Sequence, residues 1–158
     1  MIKVGDKLPS MELTVMGEKG PEPIKTDDIF LGKKVVMFAV PGAFTPGCSM
    51  THLPGFVVNA DKIKAAGVDS IVCLAVNDAF VMGAWGKDQN ADEIIMLADG
   101  CGMFTEALGL VLDLSAMQLG KRSKRYAMIV NDGVVELLNI DESNIEASSA
   151  ETILAALK

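Results

Sequence analysis

The run Lys34 to Val40, KVVMFAV, sets the terms for the rest of the chain. Beyond its first residue it is apolar throughout and rich in β-branched side chains. Successive side chains of a strand point to opposite faces, so such a run is buried on both. A strand buried on both faces needs a covering layer on each side, and a sheet flanked by helices supplies it. The run stops at Pro41-Gly42, and after the loop PGAFTPG the stretch from about Cys48 to Ala66 sets Met50, Leu53, Phe56, Val57, Ala60 and Ile63 at helical spacing. Pro54 is expected to kink that helix. A second apolar run, Ser70 to Val76 (SIVCLAV), reads as another buried strand, closed by Asn77-Asp78 ahead of a helical stretch from Ala79 to Lys87.

A third strand is expected at Ile94 to Ala98, and Asp99-Gly100 introduces a short helix through Gly102 to Leu108. Tyr126 to Val130 and Val134 to Ile140 then flank Asn131-Asp132-Gly133, a hairpin signal. The last helix spans about Ser149 to Leu157, with Ser148 and Ser149 as capping candidates. No repeat or low-complexity stretch interrupts this order. Two β-α units followed by a hairpin and a helix describe an α/β thioredoxin-like fold, a central mixed β-sheet flanked by helices. With 158 residues, one domain over 1–158 accounts for the whole chain.

Composition narrows the classes of function. A net charge of −7 repels phosphate backbones and anionic lipid alike, which argues against a nucleic-acid or membrane-surface partner. No apolar stretch approaches the roughly 20 residues that span a bilayer, since Gly42, Pro46, His52 and Pro54 punctuate the longest candidate. Three cysteines make an odd number in a chain large enough to fold without bridges, so free thiols in a reducing compartment are expected. With no basic start followed by an apolar run from Met1 to Ser10, the expected place is the cytoplasm, or an organelle after removal of a transit peptide.

The stretch Pro41-Gly42-Ala43-Phe44-Thr45-Pro46-Gly47-Cys48 carries the chemistry. It puts a cysteine in the first turn of a helix directly after a buried strand. Unpaired amides and the positive end of the helix dipole lie there, and both favour a thiolate, the nucleophilic form, over a thiol. The sulfur is expected to be reachable by a small oxidant. Pro41 and Pro46 limit backbone freedom in the loop, and Thr45 sets a hydroxyl three residues before the sulfur, where it can orient a peroxide oxygen. Displacement at a peroxide oxygen builds negative charge on the leaving oxygen, which a fixed cation and amide donors must receive. Lys121 to Arg125 (KRSKR) supplies the cations; Arg125, against the strand YAMIV, is the first choice and Arg122 its rival.

At these residues the chain resembles the peroxiredoxins. PGAFTPGCSMTHLPGF fits their PxxxTxxC signature, and with VCLAVNDAFV and KRYAMIVNDGVV it is similar to the type II, or peroxiredoxin-5-like, branch of atypical thiol peroxidases. The resemblance runs from VGDKLPS to the last helix. It implies Cys48 as the peroxidatic cysteine, Thr45, Pro41 and Arg125 completing the catalytic site, and the Gly47 and Cys48 amides as donors to substrate. It further implies reduction of hydrogen peroxide and alkyl hydroperoxides without metal or bound cofactor. Glutathione/glutaredoxin or thioredoxin would be the reductant, and a homodimer the assembly. Mammalian relatives carry a resolving cysteine before the last helix, where this chain reads IEASSAETIL and has none. Plant-like members carry one in the strand ending in VND, and Cys73 in IVCLAVND matches it as the resolving candidate.

Other readings of the same residues stay open. Cys73 sits among apolar neighbours and is equally well a packed, inert thiol. Cys101, in DGCGMF, reads as a surface thiol. His52, four residues past Cys48, raises a Cys-His hydrolase, but one helical turn sets the ring beside the backbone, and a structural histidine bonding across the active-site loop or a dimer contact fits better. Phe44, Phe80 and Trp85, large apolar residues near strand ends, read as core packing; in the family that the chain resembles such loops form the dimer contact, which implies Phe44 and Phe80 there. A thioredoxin-fold redox-sensing module is the alternative from another class; it would be oxidised once and stall where an enzyme turns over.

Overall fold

A computed structural model describes residues 1–157. In chain order the elements are β1 (Glu12–Gly17), β2 (Gly20–Lys25), α1 (Thr26–Phe30), β3 (Lys34–Ala39), a π turn (Cys48–His52), α2 (Leu53–Ala65), β4 (Ser70–Ala75), α3 (Ala79–Asp88), β5 (Ile94–Ala98) and α4 (Met103–Leu108). There follow β6 (Val111–Asp113), β7 (Lys121–Ser123), β8 (Arg125–Asn131), β9 (Val134–Asp141) and α5 (Ala150–Leu157).

Seven strands form one mixed sheet in the order β2-β1-β5-β4-β3-β8-β9. The central β5-β4-β3 block is parallel, and β8 runs antiparallel beside β3. β3 is buried on both faces, as its composition demands. Val36, Phe38 and Val40 face one core with Phe56, Ile63, Trp85 and Ile153 from α2, α3 and α5. Val35, Met37 and Ala39 face a second with Ile29, Phe30, Phe104 and Leu108 from α1 and α4. The result is the α/β thioredoxin-like sandwich, a central mixed sheet with helices on each side. The capping logic holds too. Asp78 Oδ1 accepts from the Val81 amide at 2.8 Å to start α3, and the Asp99 carboxylate accepts from the Phe104 and Thr105 amides to start α4. At the hairpin, Asp132 (φ 49°) and Gly133 (φ 78°) both sit in the left-handed region that the tight turn needs.

Three features depart from the sequence reading. The hairpin β1–β2 lies outside the elements read from the sequence; its second strand carries Pro21 and Pro23 and lies at the sheet edge, where a missing N–H costs no ladder bond. The short antiparallel ribbon β6–β7 was likewise unexpected. Pro54 does not kink a continuous helix either: it sits in the first turn of α2, directly after the π turn. There the Leu53 amide donates five residues back, to the Cys48 carbonyl. A proline in an α register would clash with the carbonyl of Met50, four residues earlier, and the wider turn relieves that clash.

Candidate active site

The loop between β3 and the π turn is tied down before the helix begins. The Ala43 amide donates to Asn77 Oδ1 at 2.9 Å, and the Thr45 amide and hydroxyl both donate to the Gly42 carbonyl, the hydroxyl at 2.7 Å. These ties hold Phe44 at φ 64°, a left-handed conformation costly for a residue with a bulky side chain. The Ser49 amide then donates to the Thr45 carbonyl at 2.9 Å, opening the helical run. Cys48 therefore lies in a first turn, as its spacing predicts.

Arg125 begins β8 and reaches across to that turn. Its Nη2 donates to Cys48 Sγ at 3.2 Å. Gly47 leaves room for this approach, since a Cβ there would stand 3.4 Å from the same nitrogen. Pro41 lines, with Leu112, Lys124, Arg125 and Ile140, an adjoining hollow of about 280 Å³. Arg122, the rival cation, is used elsewhere: its Nε donates to the Leu119 carbonyl and its Nη1 to the Val76 carbonyl. It braces the loop near Gly42 and does not pair with the sulfur.

One expectation is not met. Cys48 has 0 % of its surface exposed, so its sulfur lies beneath the turn and the guanidinium rather than at an open helix mouth. Burial of this kind comes from tertiary cover, which spacing along the chain does not encode.

His52 is the residue whose partners the sequence did not name. It is 1 % exposed and stands between two elements. A guanidinium can only donate and a carbonyl can only accept, so the partners dictate the tautomer. Arg125 Nη1 donates to Nδ1 at 2.8 Å, and Nε2–H donates to the Ser148 carbonyl at 2.9 Å. Both ring nitrogens are occupied, which removes the Cys-His hydrolase and bears out the structural reading of a bond across the loop. The one sequence signal for His52 was its place four residues after Cys48. Its partners lie 73 and 96 residues away.

Burial lowers the His52 pKa from 6.5 to about 4; the Arg125 charge adds to the effect, while the Ser148 bond and Asp141 oppose it. The sign follows from proton binding. Below pH 6.5 the unfolded chain takes up a proton that the folded chain refuses until about pH 4. Roughly 3 kcal/mol of folding stability should therefore be lost as pH falls across that interval. Denaturant titration at pH 7 and pH 4.5 reads the loss directly, and equal stability at the two values would show that the ring accepts protons freely.

The remaining thiols differ in setting. Cys73 is fully buried in β4 between Phe38 of β3 and Met96 of β5, in the same core cluster as Cys48. Burial pushes its pKa well up, and the Cys48 charge pushes the same way against the opposing pull of Arg125. Cys101 is exposed in the turn before α4. No disulfide links the three. Phe44 and Phe80 stay 52 % and 66 % exposed, whereas Trp85 is buried and donates from Nε1 to Ser49 Oγ at 2.9 Å. Among the described residues no helix is long and apolar enough to cross a membrane.

Comparison with known proteins places this geometry in context. The redoxin family model matches residues 3–154. The chloroplastic Peroxiredoxin-2E of Arabidopsis thaliana is 48 % identical over 163 residues, covering 99 % of this chain and 69 % of its own length. The structure of reduced Prx3 from Vibrio vulnificus in complex with H2O2 is 54 % identical with a TM-score of 0.96, covering 100 % of both chains. Peroxiredoxin 5 from Alvinella pompejana is 39 % identical with a TM-score of 0.86, covering 99 % of this chain and 98 % of its own.

Proposed function

Because the chain belongs to the redoxin family, as a peroxiredoxin of the type II, peroxiredoxin-5-like branch, it is a thiol-dependent antioxidant peroxidase, and we propose that Cys48 is its peroxidatic nucleophile. The observation that carries this assignment is the 3.2 Å hydrogen bond from Arg125 Nη2 to Cys48 Sγ in the first turn of a helix.

The thiolate attacks one oxygen of ROOH. The S–O bond forms as the O–O bond breaks, and the departing RO⁻ takes a proton to leave as ROH, with Cys48 a sulfenic acid. Arg125 and the Gly47 and Cys48 amides receive the charge that builds on the leaving oxygen. The Thr45 hydroxyl, its proton already given to the Gly42 carbonyl, offers lone pairs to the peroxide O–H. Pro41 walls the approach from the hollow beside Arg125. With the sulfur covered at rest, hydrogen peroxide or an alkyl hydroperoxide enters as the π turn loosens. Irregular turns of this type concentrate at functional sites.

A thiol then attacks the sulfenic sulfur, releasing water and leaving a disulfide that a second thiol reduces. The depth of Cys73 favours an external thiol, from glutathione/glutaredoxin or thioredoxin. An internal route keeps one support, the shared core cluster of Cys73 and Cys48. The exposure of Phe44 and Phe80 supports a homodimer through that face, each chain acting as one redoxin domain over 1–158. Free thiols throughout favour a reducing compartment, cytoplasmic or organellar.

Steady-state peroxide consumption separates the routes and also tests the redox-sensing alternative. With glutaredoxin or thioredoxin supplied, wild type, Cys73→Ser and Cys101→Ser should all turn over many times, at rates within about a factor of two. A Cys73→Ser variant that stalls after one oxidation would make Cys73 the resolving thiol. A wild type that stalls would favour the sensor.

A further inference from the structure

Asp141 ends β9, directly opposite Arg125 in the antiparallel ladder with β8. Its carboxylate is committed to the loop that follows. Oδ2 accepts from the Glu146 amide at 3.0 Å, the Ser148 amide at 2.8 Å and the Ser148 hydroxyl at 2.7 Å, while Oδ1 accepts from the Ala147 amide at 3.1 Å. Four donors from three successive residues thus converge on one carboxylate that is only 7 % exposed. Burial alone would raise its pKa, yet these bonds hold the carboxyl below its ordinary value.

The consequence lies at Ser148. Asp141 grips the amide and hydroxyl on one side of Ser148, and the Ser149 amide donates to the Glu146 carbonyl at 3.2 Å on the other, so the peptide between Ser148 and Ser149 has little freedom to turn and the Ser148 carbonyl stays aimed at His52 Nε2. That bond keeps the proton on Nε2 and leaves the Nδ1 lone pair for Arg125 Nη1. With one nitrogen of the guanidinium so engaged, the other is directed at the sulfur. We propose that Asp141 is a positioning residue for the peroxidase reaction: acting through Ser148 and His52, it holds the Arg125 guanidinium in the orientation that faces Cys48. The proposal rests on the assignment of Cys48 and Arg125 as the reacting pair.

A purely structural role, pinning the loop ahead of α5, makes different predictions. Trp85 is the only tryptophan and is bonded to Ser49, the residue after Cys48, so its fluorescence should follow Cys48 oxidation in stopped flow. His52 is the only histidine, so its two ring nitrogens give unambiguous ¹⁵N signals that report the tautomer. Asp141→Asn puts an NH2 donor among the loop's donors. It should slow Cys48 oxidation by hydrogen peroxide about tenfold and turn the single Nε2–H tautomer into a mixture. Ser148→Ala removes one of the four donors and should move both readouts the same way by less. Asn139→Ala, which cuts one of the loop's further ties, from Asn139 Nδ2 to the Ala147 carbonyl, should lower Tm while leaving rate and tautomer unchanged.

A wild-type rate and tautomer in folded Asp141→Asn would overturn the proposal, as would Asn139→Ala slowing oxidation as much. Should Asp141→Asn fail to fold, unchanged readouts in Ser148→Ala overturn it instead. Rapid oxidation persisting in Cys48→Ser would sink the parent assignment separately, because the dependence of the His52 tautomer on Asp141 is read without peroxide.

Discussion

Cys48→Ser will reduce peroxide turnover to the level of the direct reaction between peroxide and the added reductant, a loss of more than about a thousandfold. Serine occupies nearly the same volume, so the fully buried site should stay packed and the fold intact. What disappears is the reagent. A hydroxyl is not ionised near neutral pH and is a poor partner for an oxygen electrophile, whereas a thiolate is both charged and polarisable. Neither remaining thiol can substitute: Cys73 is buried with its pKa pushed up, and Cys101 lies in the turn ahead of α4 without the Arg125 bond. The check is the Trp85 fluorescence transient on mixing with peroxide, together with the mass of the chain afterwards. A transient of wild-type speed, or a single added oxygen on Cys73 or Cys101, would move the chemistry to another sulfur.

Arg125→Ala is the second large effect, a slowing of Cys48 oxidation by about a hundredfold or more, typical of losing one donor to developing charge in a water-excluded site. The guanidinium bonds the sulfur through Nη2 and His52 through Nη1, so its two arms are set by separate partners. Arg125→Lys should recover little of the loss. An ammonium on a flexible stem lacks the rigid fork that meets a ring nitrogen and a sulfur at once, and its charge no longer stands at a fixed angle to the substrate. Stopped-flow rate constants for the three proteins decide the matter. An alanine variant within threefold of wild type would leave the amides at Gly47 and Cys48 as the main acceptors of charge.

What could be read from the chain and what could not divide along physical lines. Buried strands announce themselves by unbroken apolar runs, so β3, β4 and β5 were legible, as was the β8–β9 hairpin from Asp132-Gly133. Cys48 was legible because its setting is local, a strand end and a helix start within a few residues. Arg125 lies far off along the chain, and chemistry plus resemblance picked it over Arg122; the structure separates them by what each bonds. The relay behind Arg125 was not legible, because His52, Ser148 and Asp141 meet only after the sheet and the last helix have assembled. The expected kink at Pro54 and the unread strand with Pro21 and Pro23 share one reason. Lack of an N–H is harmless at a sheet edge and in the first turn of a helix, and sequence alone does not say which residues occupy such places.

The closed packing around Cys48 carries a last consequence. Oxidation adds an atom to a side chain that already fills its space, so the product is more crowded than the reactant. The relief lies nearest in the five-residue turn that holds the cysteine, whose wide register already accommodates a proline. On the proposed chemistry, oxidation at the sulfur would work as a wedge: the oxidised chain is expected to loosen where it was tightest, presenting its product to the thiol that must remove it.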